Sequence, residues 1–304
     1  MEISPQKFAS ALGLNLISGA ARETESCITV ADIWRPGLQF TGYFDVFSFE
    51  RPQVIGKAEM VYLDNMQLDV REERLKQYFS YGLPCIVIAR GMECPEILAK
   101  LAKENNVPIY GTEEETSAFS AKAMGYLSEV LAPRQTCHGV LLDVYGMGVL
   151  ITGKSGVGKS ECALELVKHG HQLVADDAVE IFRVGRSLWG EAPEMIRNFM
   201  ELRGVGIVDI KEIFGIGAML RRVRIDMVIH LEIWRDDKEY DRLGTKDQTM
   251  EIMGVQLPLL DIPVHPGRSL ATIVEIAARN RRLKAEGYDA VKVLDDRLRR
   301  QYEK

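Results

Sequence analysis

A phosphate-binding loop motif constrains the fold of this chain more than any other stretch of its sequence. Residues 153–160 read GKSGVGKS, which is the pattern GxxxxGKS. A short apolar, β-branched run precedes the motif at 148–152, and the apolar residues after it recur at helical spacing, at Cys162, Ala163, Leu164, Leu166 and Val167. The pattern therefore predicts a buried strand, a glycine-rich loop and a helix, as in an α/β fold.

The residue types within the motif are those that hold phosphate. Glycines let backbone N–H groups approach phosphate oxygens, and the helix that follows adds the positive end of its dipole. The Lys159 ammonium then reaches the β- and γ-phosphates, and the Ser160 hydroxyl binds Mg²⁺. A turn without a ligand is disfavoured, because the glycines, the lysine and the serine all stand where this mechanism needs them. We predict that nucleotide phosphates bind at Gly153, Lys154, Ser155, Gly156, Val157, Gly158, Lys159 and Ser160.

The length of the chain predicts two domains, because 304 residues exceed what one core usually fills. Short apolar segments alternate with helical ones up to about Tyr126, and the proline-containing stretch EVLAPRQTCHGVLL follows at 129–142. We therefore predict an N-terminal α/β domain over 1–127 and a C-terminal catalytic domain over 128–304.

Composition excludes several classes of protein. With 38 Lys and Arg against 44 Asp and Glu, the net charge is −6, which predicts no general attraction to nucleic acid or anionic lipid. The five cysteines are an odd number and include no CxxC pair, so neither a disulfide framework nor a zinc site is predicted. The N-terminus is not patterned as a signal peptide, and no apolar run is long enough to span a membrane. We therefore expect a cytoplasmic protein.

Two adjacent carboxylates follow the phosphate-loop helix by about one strand. Asp176 and Asp177 end the apolar run HQLVADD, which places them at the carboxyl end of a predicted strand beside the loop. One carboxylate is suited to hold Mg²⁺, and the other is suited to take a proton from an attacking hydroxyl. A turn or helix-capping pair is the structural alternative.

Four rival functions use the same loop. A GTPase would need DxxG and a later NKxD; DRLG at 241–244 fits the first, but nothing after it fits the second. A plain ATPase would not need a base for an acceptor hydroxyl, so phosphoryl transfer to an acceptor is favoured. A small-molecule kinase and a nucleotide-sensing module that does not turn over remain open.

The chain as a whole resembles the HPr kinase/phosphorylase family. The segments that carry the resemblance in the N-terminal half are DIWRPGLQFTGYF at 32–44 and RPQVIGKAE at 51–59. Those in the C-terminal half are HGVLLDVYGMGVLITG at 138–153, SGVGKSE at 155–161, LVADD at 173–177, MELRGVGIVDI at 200–210 and PVHPGRSLATIVE at 263–275. The resemblance implies an α/β fold of two domains, an N-terminal α/β domain and a C-terminal P-loop kinase core with a C-terminal helix.

The resemblance also implies roles for individual residues. Asp177 is expected to accept a proton in phosphorylation and to donate one in the reverse reaction, assisted by Asp176. Ser160 and Glu201 are expected to hold the divalent metal. His138, Lys159 and Arg242 are expected at the phosphates, Arg242 as the arginine that meets the transferred group. The segment 201–210 is expected to serve both directions, and VHPGRS at 264–269 to serve dephosphorylation.

The same resemblance implies the reaction and its participants. The family phosphorylates a regulatory serine of the phosphocarrier protein HPr with ATP or pyrophosphate, and it dephosphorylates that serine with inorganic phosphate, releasing pyrophosphate. The expected metal is Mg²⁺ or Mn²⁺, the expected assembly is a homohexamer, and the expected process is carbon catabolite regulation. An assembly or regulatory role is expected for the N-terminal domain. The chain departs from the usual family pattern at Lys154 and His265.

Overall fold

The chain divides into two compact units, each with its own hydrophobic core. A computed structural model of the protein describes residues 1–19, 27–235, 237–238, 248–265 and 267–302. Contacts between Cα atoms separate Met1–Pro133 from Arg134–Lys304. By these contacts the first unit extends through Pro133, and Leu127 is fully buried in its core.

The N-terminal unit alternates short strands with helices. Its helices are α1 Pro5–Leu12, α2 Gly37–Phe40, α3 Lys57–Asp64, α4 Leu68–Phe79, α5 Glu96–Glu104 and α6 Thr116–Val130. Its strands are β1 Asn15–Ser18, β2 Gln53–Ile55, β3 Ile86–Ile88 and β4 Ile109–Gly111. The strand order is β1-β4-β3-β2, in which β2, β3 and β4 run parallel and β1 pairs antiparallel with β4.

Apolar side chains cover both faces of this small sheet, as expected for parallel strands with helices on each side. Ile86 and Ile88 of β3 belong to one core cluster with α4 and α5, whereas Val87 belongs to a second cluster with α1 and α6. Alternate side chains of a strand point to opposite faces, which explains the division between the two clusters.

Within the described residues, the C-terminal unit is built around a sheet of nine strands. Its strands are β5 Arg134–His138, β6 Val140–Val144, β7 Met147–Gly153, β8 Gln172–Ala175, β9 Ala178–Val184, β10 Ser187–Glu191, β11 Phe199–Leu202, β12 Gly206–Asp209, β13 Arg222–Ile233, β14 Gln248–Ile252 and β15 Val255–Val264. Its helices are α7 Lys159–Lys168, α8 Ile210–Phe214, α9 Leu270–Ala285 and α10 Ala290–Tyr302, with 3₁₀ turns at Glu194–Ile196 and Ile216–Ala218. Strands β11 and β12 form a separate hairpin.

The pairing of the central strands brings several carboxyl ends to one edge of the sheet. Strand β13 pairs parallel with both β7 and β15, whereas β6 pairs antiparallel with both β7 and β8. Consequently β7, β8, β13 and β15 all point the same way. The stretches HGVLLDVYG and GVLITG contain β6 and β7, which pair antiparallel.

Helices α7 and α9 cover one face of this sheet. Val149 and Ile151 of β7 pack with Leu166 of α7 and Val274 of α9 in one buried cluster. Leu150, which points the other way, lies in a second cluster with residues of β9 and β10. The mixed α/β class, the two units and the C-terminal helix are confirmed. Within the described residues, no helix has both the length and the apolar character needed to cross a membrane.

Candidate active site

The phosphate loop joins the end of β7 to the start of α7. Gly153, Gly156 and Gly158 all have positive φ, at 145°, 81° and 102°. A Cβ atom on Gly153 would lie 2.4 Å from the Leu231 carbonyl oxygen of β13, so close strand packing also requires glycine here. The loop therefore turns sharply and leaves its amides close to the first turn of α7, where anions bind.

Lys159 lies beneath the loop with only 7% of its surface exposed. Its ammonium donates hydrogen bonds to the carbonyl oxygens of Gly153, at 3.1 Å, and Lys154, at 3.3 Å. A lysine ammonium has three donors. Two of them hold the lysine against the loop, so the positive charge is already positioned before any phosphate binds.

Asp176 is buried and joins three elements. Its Oδ1 accepts a hydrogen bond from the Ser160 hydroxyl of α7 at 2.9 Å, and its Oδ2 accepts one from the Glu201 backbone N–H of β11 at 3.2 Å. Burial raises the pKa of the Asp176 carboxyl above its ordinary value, while these hydrogen bonds act in the opposite direction. Asp176 thus ties the end of β8 to the phosphate-loop helix and to the β11–β12 hairpin.

Asp177 points away from this network. Its backbone has a φ of 67°, in the left-handed region, and its side chain is 66% exposed. The carboxylate Oδ1 lies 3.1 Å from Nδ1 of His138, at the end of β5. The backbone carbonyl of Asp177 accepts a hydrogen bond from the Gly139 N–H. The unusual backbone conformation therefore presents the Asp177 carboxylate to solvent beside His138, whereas the Asp176 carboxylate is buried.

One pocket collects most of the predicted site residues. Its lining consists of His138, Ser155, Gly156, Gly158, Lys159, Ser160, Glu161, Asp176, Asp177, Glu201 and Arg203. Gly153 and Lys154 contribute the carbonyls that hold Lys159, and Val157 is buried in the core. Arg242 lies outside the described residues. Sequence reasoning included Arg203 and Glu161 only within longer matching segments and assigned neither a role.

The oxygen atoms around this pocket suit a hard divalent cation. The Ser160 hydroxyl, the buried Asp176 carboxylate and the exposed Glu201 side chain all line it. No group of three or more His, Cys, Asp or Glu side chains in the described part of the chain is arranged to hold a metal. Mg²⁺ is commonly held by one or two carboxylates together with water and substrate phosphates, so this donor set fits it.

The segment after β15 is tied to the phosphate-loop helix. The Ser269 side chain caps α9 by accepting a hydrogen bond from the Thr272 N–H, and its hydroxyl donates to Glu165 of α7 at 3.0 Å. Arg268, one residue earlier, does not line the pocket. Its backbone N–H donates to the His265 carbonyl.

Comparisons with known proteins identify the family. The model of the HPr Serine kinase N terminus matches residues 3–127, and that of the HPr Serine kinase C-terminal domain matches residues 129–298. The HPr kinase/phosphorylase of Alkaliphilus metalliredigens is 48% identical over 281 residues, covering 92% of this chain and 91% of that protein. The HPr kinase/phosphorylase of Caldanaerobacter subterraneus subsp. tengcongensis is 44% identical over 301 residues, covering 99% and 98%.

A solved structure, that of the Hpr(Ser) kinase/phosphatase from Coxiella burnetii, is 36% identical to this chain with a TM-score of 0.49. The match covers 53% of this chain and 98% of the chain in that structure. The two family models together match nearly the whole sequence, and the curated relatives match it at nearly full length. The chain therefore belongs to the HPr kinase/phosphorylase family.

Proposed function

We propose that this protein transfers the γ-phosphoryl group of ATP to a serine of HPr and removes it again by phosphorolysis. The observation that carries the proposal is the pairing of an exposed carboxylate, Asp177, with the phosphate loop in one pocket. A buried carboxylate would be unable to meet a hydroxyl presented by another protein, whereas Asp177 stands at the mouth of the site. The names of the relatives supply HPr as the acceptor.

In the forward reaction Asp177 acts as the general base. The serine hydroxyl gives its proton to the Asp177 carboxylate while its oxygen attacks the γ-phosphorus. The bond from that phosphorus to the β–γ bridging oxygen breaks, and ADP leaves. Lys159 and the loop amides stabilise the charge that develops on the phosphate oxygens. His138, 3.1 Å from Asp177, orients the carboxylate toward the incoming hydroxyl.

In the reverse reaction the same carboxylate begins protonated. An oxygen of inorganic phosphate attacks the phosphorus of phosphoserine, the bond from phosphorus to the serine oxygen breaks, and Asp177 returns a proton to that oxygen. The products are serine and pyrophosphate. One carboxylate serves both directions because microscopic reversibility requires the base of one direction to be the acid of the other. Pyrophosphate can therefore replace ATP as the phosphoryl donor.

Ser160 and Glu201, with Asp176 supporting Ser160, are the residues that would hold Mg²⁺ or Mn²⁺. When bound, the ion supplies Lewis-acid neutralisation of phosphate charge. Asp176 keeps the Ser160 hydroxyl oriented toward the pocket through its 2.9 Å hydrogen bond. We place Arg242 at the transferred phosphate on family resemblance alone.

We further propose a homohexamer, a cytoplasmic location and a role in carbon catabolite regulation. Between Ala290 and Gln301 no residue of helix α10 is fully buried, and Leu294 and Leu298 are exposed, which supports contact with a neighbouring copy. All five cysteines are free thiols, as expected in a reducing compartment. The N-terminal unit is assigned to assembly or regulation, since the described residues that line the pocket with the predicted site residues run from His138 onwards.

A single labelling experiment tests the proposed function. Purified protein is incubated with HPr and ATP labelled at the γ-phosphate, and the labelled HPr is then separated from ATP and exposed to inorganic phosphate. We expect label on a serine of HPr, followed by its release as pyrophosphate. A mixture of metabolites serves as the alternative acceptor. Labelled metabolites with unlabelled HPr would show a small-molecule kinase, and nucleotide binding without transfer would show a sensing module.

A further inference from the structure

The tip of the β11–β12 hairpin places an arginine on the phosphate loop. Arg203 follows β11 and precedes Gly204, which has a φ of 84°. A Cβ atom on Gly156 would lie 2.8 Å from Nη1 of Arg203 and 2.9 Å from Nη2. The guanidinium therefore rests directly against the middle of the loop, at Gly156.

The guanidinium of Arg203 has no anionic partner in the described part of the chain. Other arginines of the same unit do: Arg134 pairs with Glu180 and Glu191, and Arg224 pairs with Asp226. Arg203 lines the same pocket as four carboxylates and is bonded to none of them in the described residues. Of these, Asp176 accepts from Ser160 and from the Glu201 amide, and Asp177 faces His138. An unpaired cation over a phosphate cradle is available to an anionic ligand.

The base of the hairpin is fixed although its tip is exposed. Met200 is buried in the core, and the neighbouring Glu201 amide is held by Asp176. Ile210, the residue directly after β12, is also fully buried. The hairpin is therefore anchored on both sides. Arg203 lies two residues after Glu201, whose N–H is held by Asp176, so its position is defined. The same hairpin thus brings the Glu201 carboxylate and the Arg203 guanidinium to one pocket.

We infer that Arg203 is a catalytic residue that binds the phosphoryl group during transfer, an arginine supplied to the phosphate loop by its own chain. This inference deepens the proposed function and rests on it. As the bond from phosphorus to the donor oxygen breaks and the bond to the serine oxygen forms, negative charge spreads over the phosphoryl oxygens and the leaving oxygen. A planar guanidinium matches two such oxygens, which an ammonium does not. Arginines in this role contribute large factors to kcat in other phosphoryl-transfer enzymes.

The test compares Arg203→Ala and Arg203→Lys with Arg186→Ala, a control in the turn between β9 and β10. For each protein we measure the rates of HPr phosphorylation and of phosphate-dependent dephosphorylation, and the Kd for a fluorescent ATP analogue. We expect Arg203→Ala to lower kcat in both directions by about a hundredfold or more, with the nucleotide Kd changed only a few-fold. Arg203→Lys is expected to restore little, because it supplies a point charge without the planar fork. Added guanidinium ion is expected to restore part of the lost rate to Arg203→Ala and none to the wild type.

Two outcomes would overturn the inference. If Arg203→Ala kept kcat within about threefold of wild type, the arginine would not act on the transferred group. If the whole loss lay in nucleotide affinity with kcat unchanged, Arg203 would bind the ground state only. A thermal unfolding temperature of Arg203→Ala that matches the wild type separates both results from misfolding. A wild-type protein that labels no HPr serine would instead refute the proposed function, and the role of Arg203 in that reaction with it.

Discussion

At the scale of single residues, two adjacent aspartates acquire opposite environments. Asp176 ends a regular strand with its carboxylate buried among three hydrogen-bonding groups, whereas the left-handed backbone of Asp177 turns the next carboxylate into the pocket mouth. A single change of backbone region thus separates a buried carboxylate held by hydrogen bonds from an exposed one beside His138. The roles that we propose for the two carboxylates depend on this separation.

Replacement of Lys159 tests the phosphate loop itself. Lys159→Ala removes the ammonium that is held at the loop by two carbonyls, so it should abolish both phosphorylation and phosphorolysis. Loss of one preorganised charge-stabilising group commonly costs on the order of 3 kcal/mol in transition-state binding. Rates of both reactions, measured at saturating HPr, check this. Wild-type turnover in either direction would contradict the assignment.

A second cluster of titratable residues lies away from the pocket and joins α9 to the turn after α7. Oε1 of Glu275 lies 3.0 Å from His171 Nε2, 3.4 Å from His169 Nδ1 and 3.2 Å from the Tyr145 hydroxyl. The hydrogen bond from His171 is the main cause that lowers the pKa of the Glu275 carboxyl below its ordinary value. The cluster therefore stabilises the packing of α9 through a carboxylate.

The sign of the Glu275 shift predicts how stability depends on pH. Because its folded-state pKa is lowered, the contribution of Glu275 is present above its unfolded pKa of 4.5 and is lost as pH falls through the lower folded value. Glu275→Gln should cost about 1–2 kcal/mol at pH 7, and that cost should shrink below pH 4.5. Urea unfolding from pH 3 to pH 7 measures it. Glu286→Gln, at the exposed end of the same helix, is the control, and a cost that does not vary with pH would contradict the prediction.

At the scale of elements, the β11–β12 hairpin completes the pocket. Its backbone is held by Asp176, and its side chains Glu201 and Arg203 are placed at the pocket wall. If Glu201 binds the metal, Glu201→Gln should raise the Mg²⁺ concentration that gives half-maximal activity, while the thermal unfolding temperature stays unchanged because the side chain is exposed. A magnesium titration of kinase activity checks this.

The control for the metal prediction is Glu194→Gln, since Glu194 is an exposed acid in the turn preceding the hairpin. Its magnesium dependence should match that of the wild type. Equal titration curves for Glu201→Gln and Glu194→Gln would remove Glu201 from the metal site.

The segment between β15 and α9 matches the family's dephosphorylation segment, and this resemblance predicts a difference between the two reactions. Attack of free phosphate on phosphoserine brings two highly charged groups together, so phosphorolysis should need more added positive charge than transfer from metal-bound ATP. Arg268→Ala should therefore lower phosphorolysis much more than phosphorylation. Steady-state rates in both directions decide the point. Similar losses in the two directions would show that the segment serves the site as a whole.

At the scale of the whole molecule, α10 has an apolar surface that its own chain does not cover. Leu294 and Leu298 lie one helical turn apart, and they are 52% and 44% exposed. If copies of the chain assemble through this helix, Leu298→Asp should shift the mass observed in analytical ultracentrifugation toward smaller species. Gln301→Asp introduces the same charge change at an exposed polar position and should leave the mass unchanged. Unaltered assembly in Leu298→Asp would exclude α10 from the interface.

Local sequence determined the parts of this protein that depend on neighbouring residues. The phosphate loop needs glycines at fixed spacing between a strand and a helix, and those residues are contiguous from Gly153 to Ser160. The α/β class and the position of Asp176 and Asp177 beside the loop follow in the same way from local pattern, and family resemblance supplied His138, Glu201 and Arg242. Because these candidate residues lie far apart in the chain, the sequence did not determine the distances between their side chains.

Tertiary structure alone decided which of these residues meet. Asp176 and Asp177 have different environments for two reasons. Asp176 accepts hydrogen bonds from Ser160 and the Glu201 amide, which are distant in sequence, and Asp177 has a backbone conformation that no local pattern indicates. The contact of Arg203 with Gly156 exists because a hairpin anchored in the core folds back over the loop. Such contacts depend on how strands pair and helices pack, and therefore on the free energy of the whole fold.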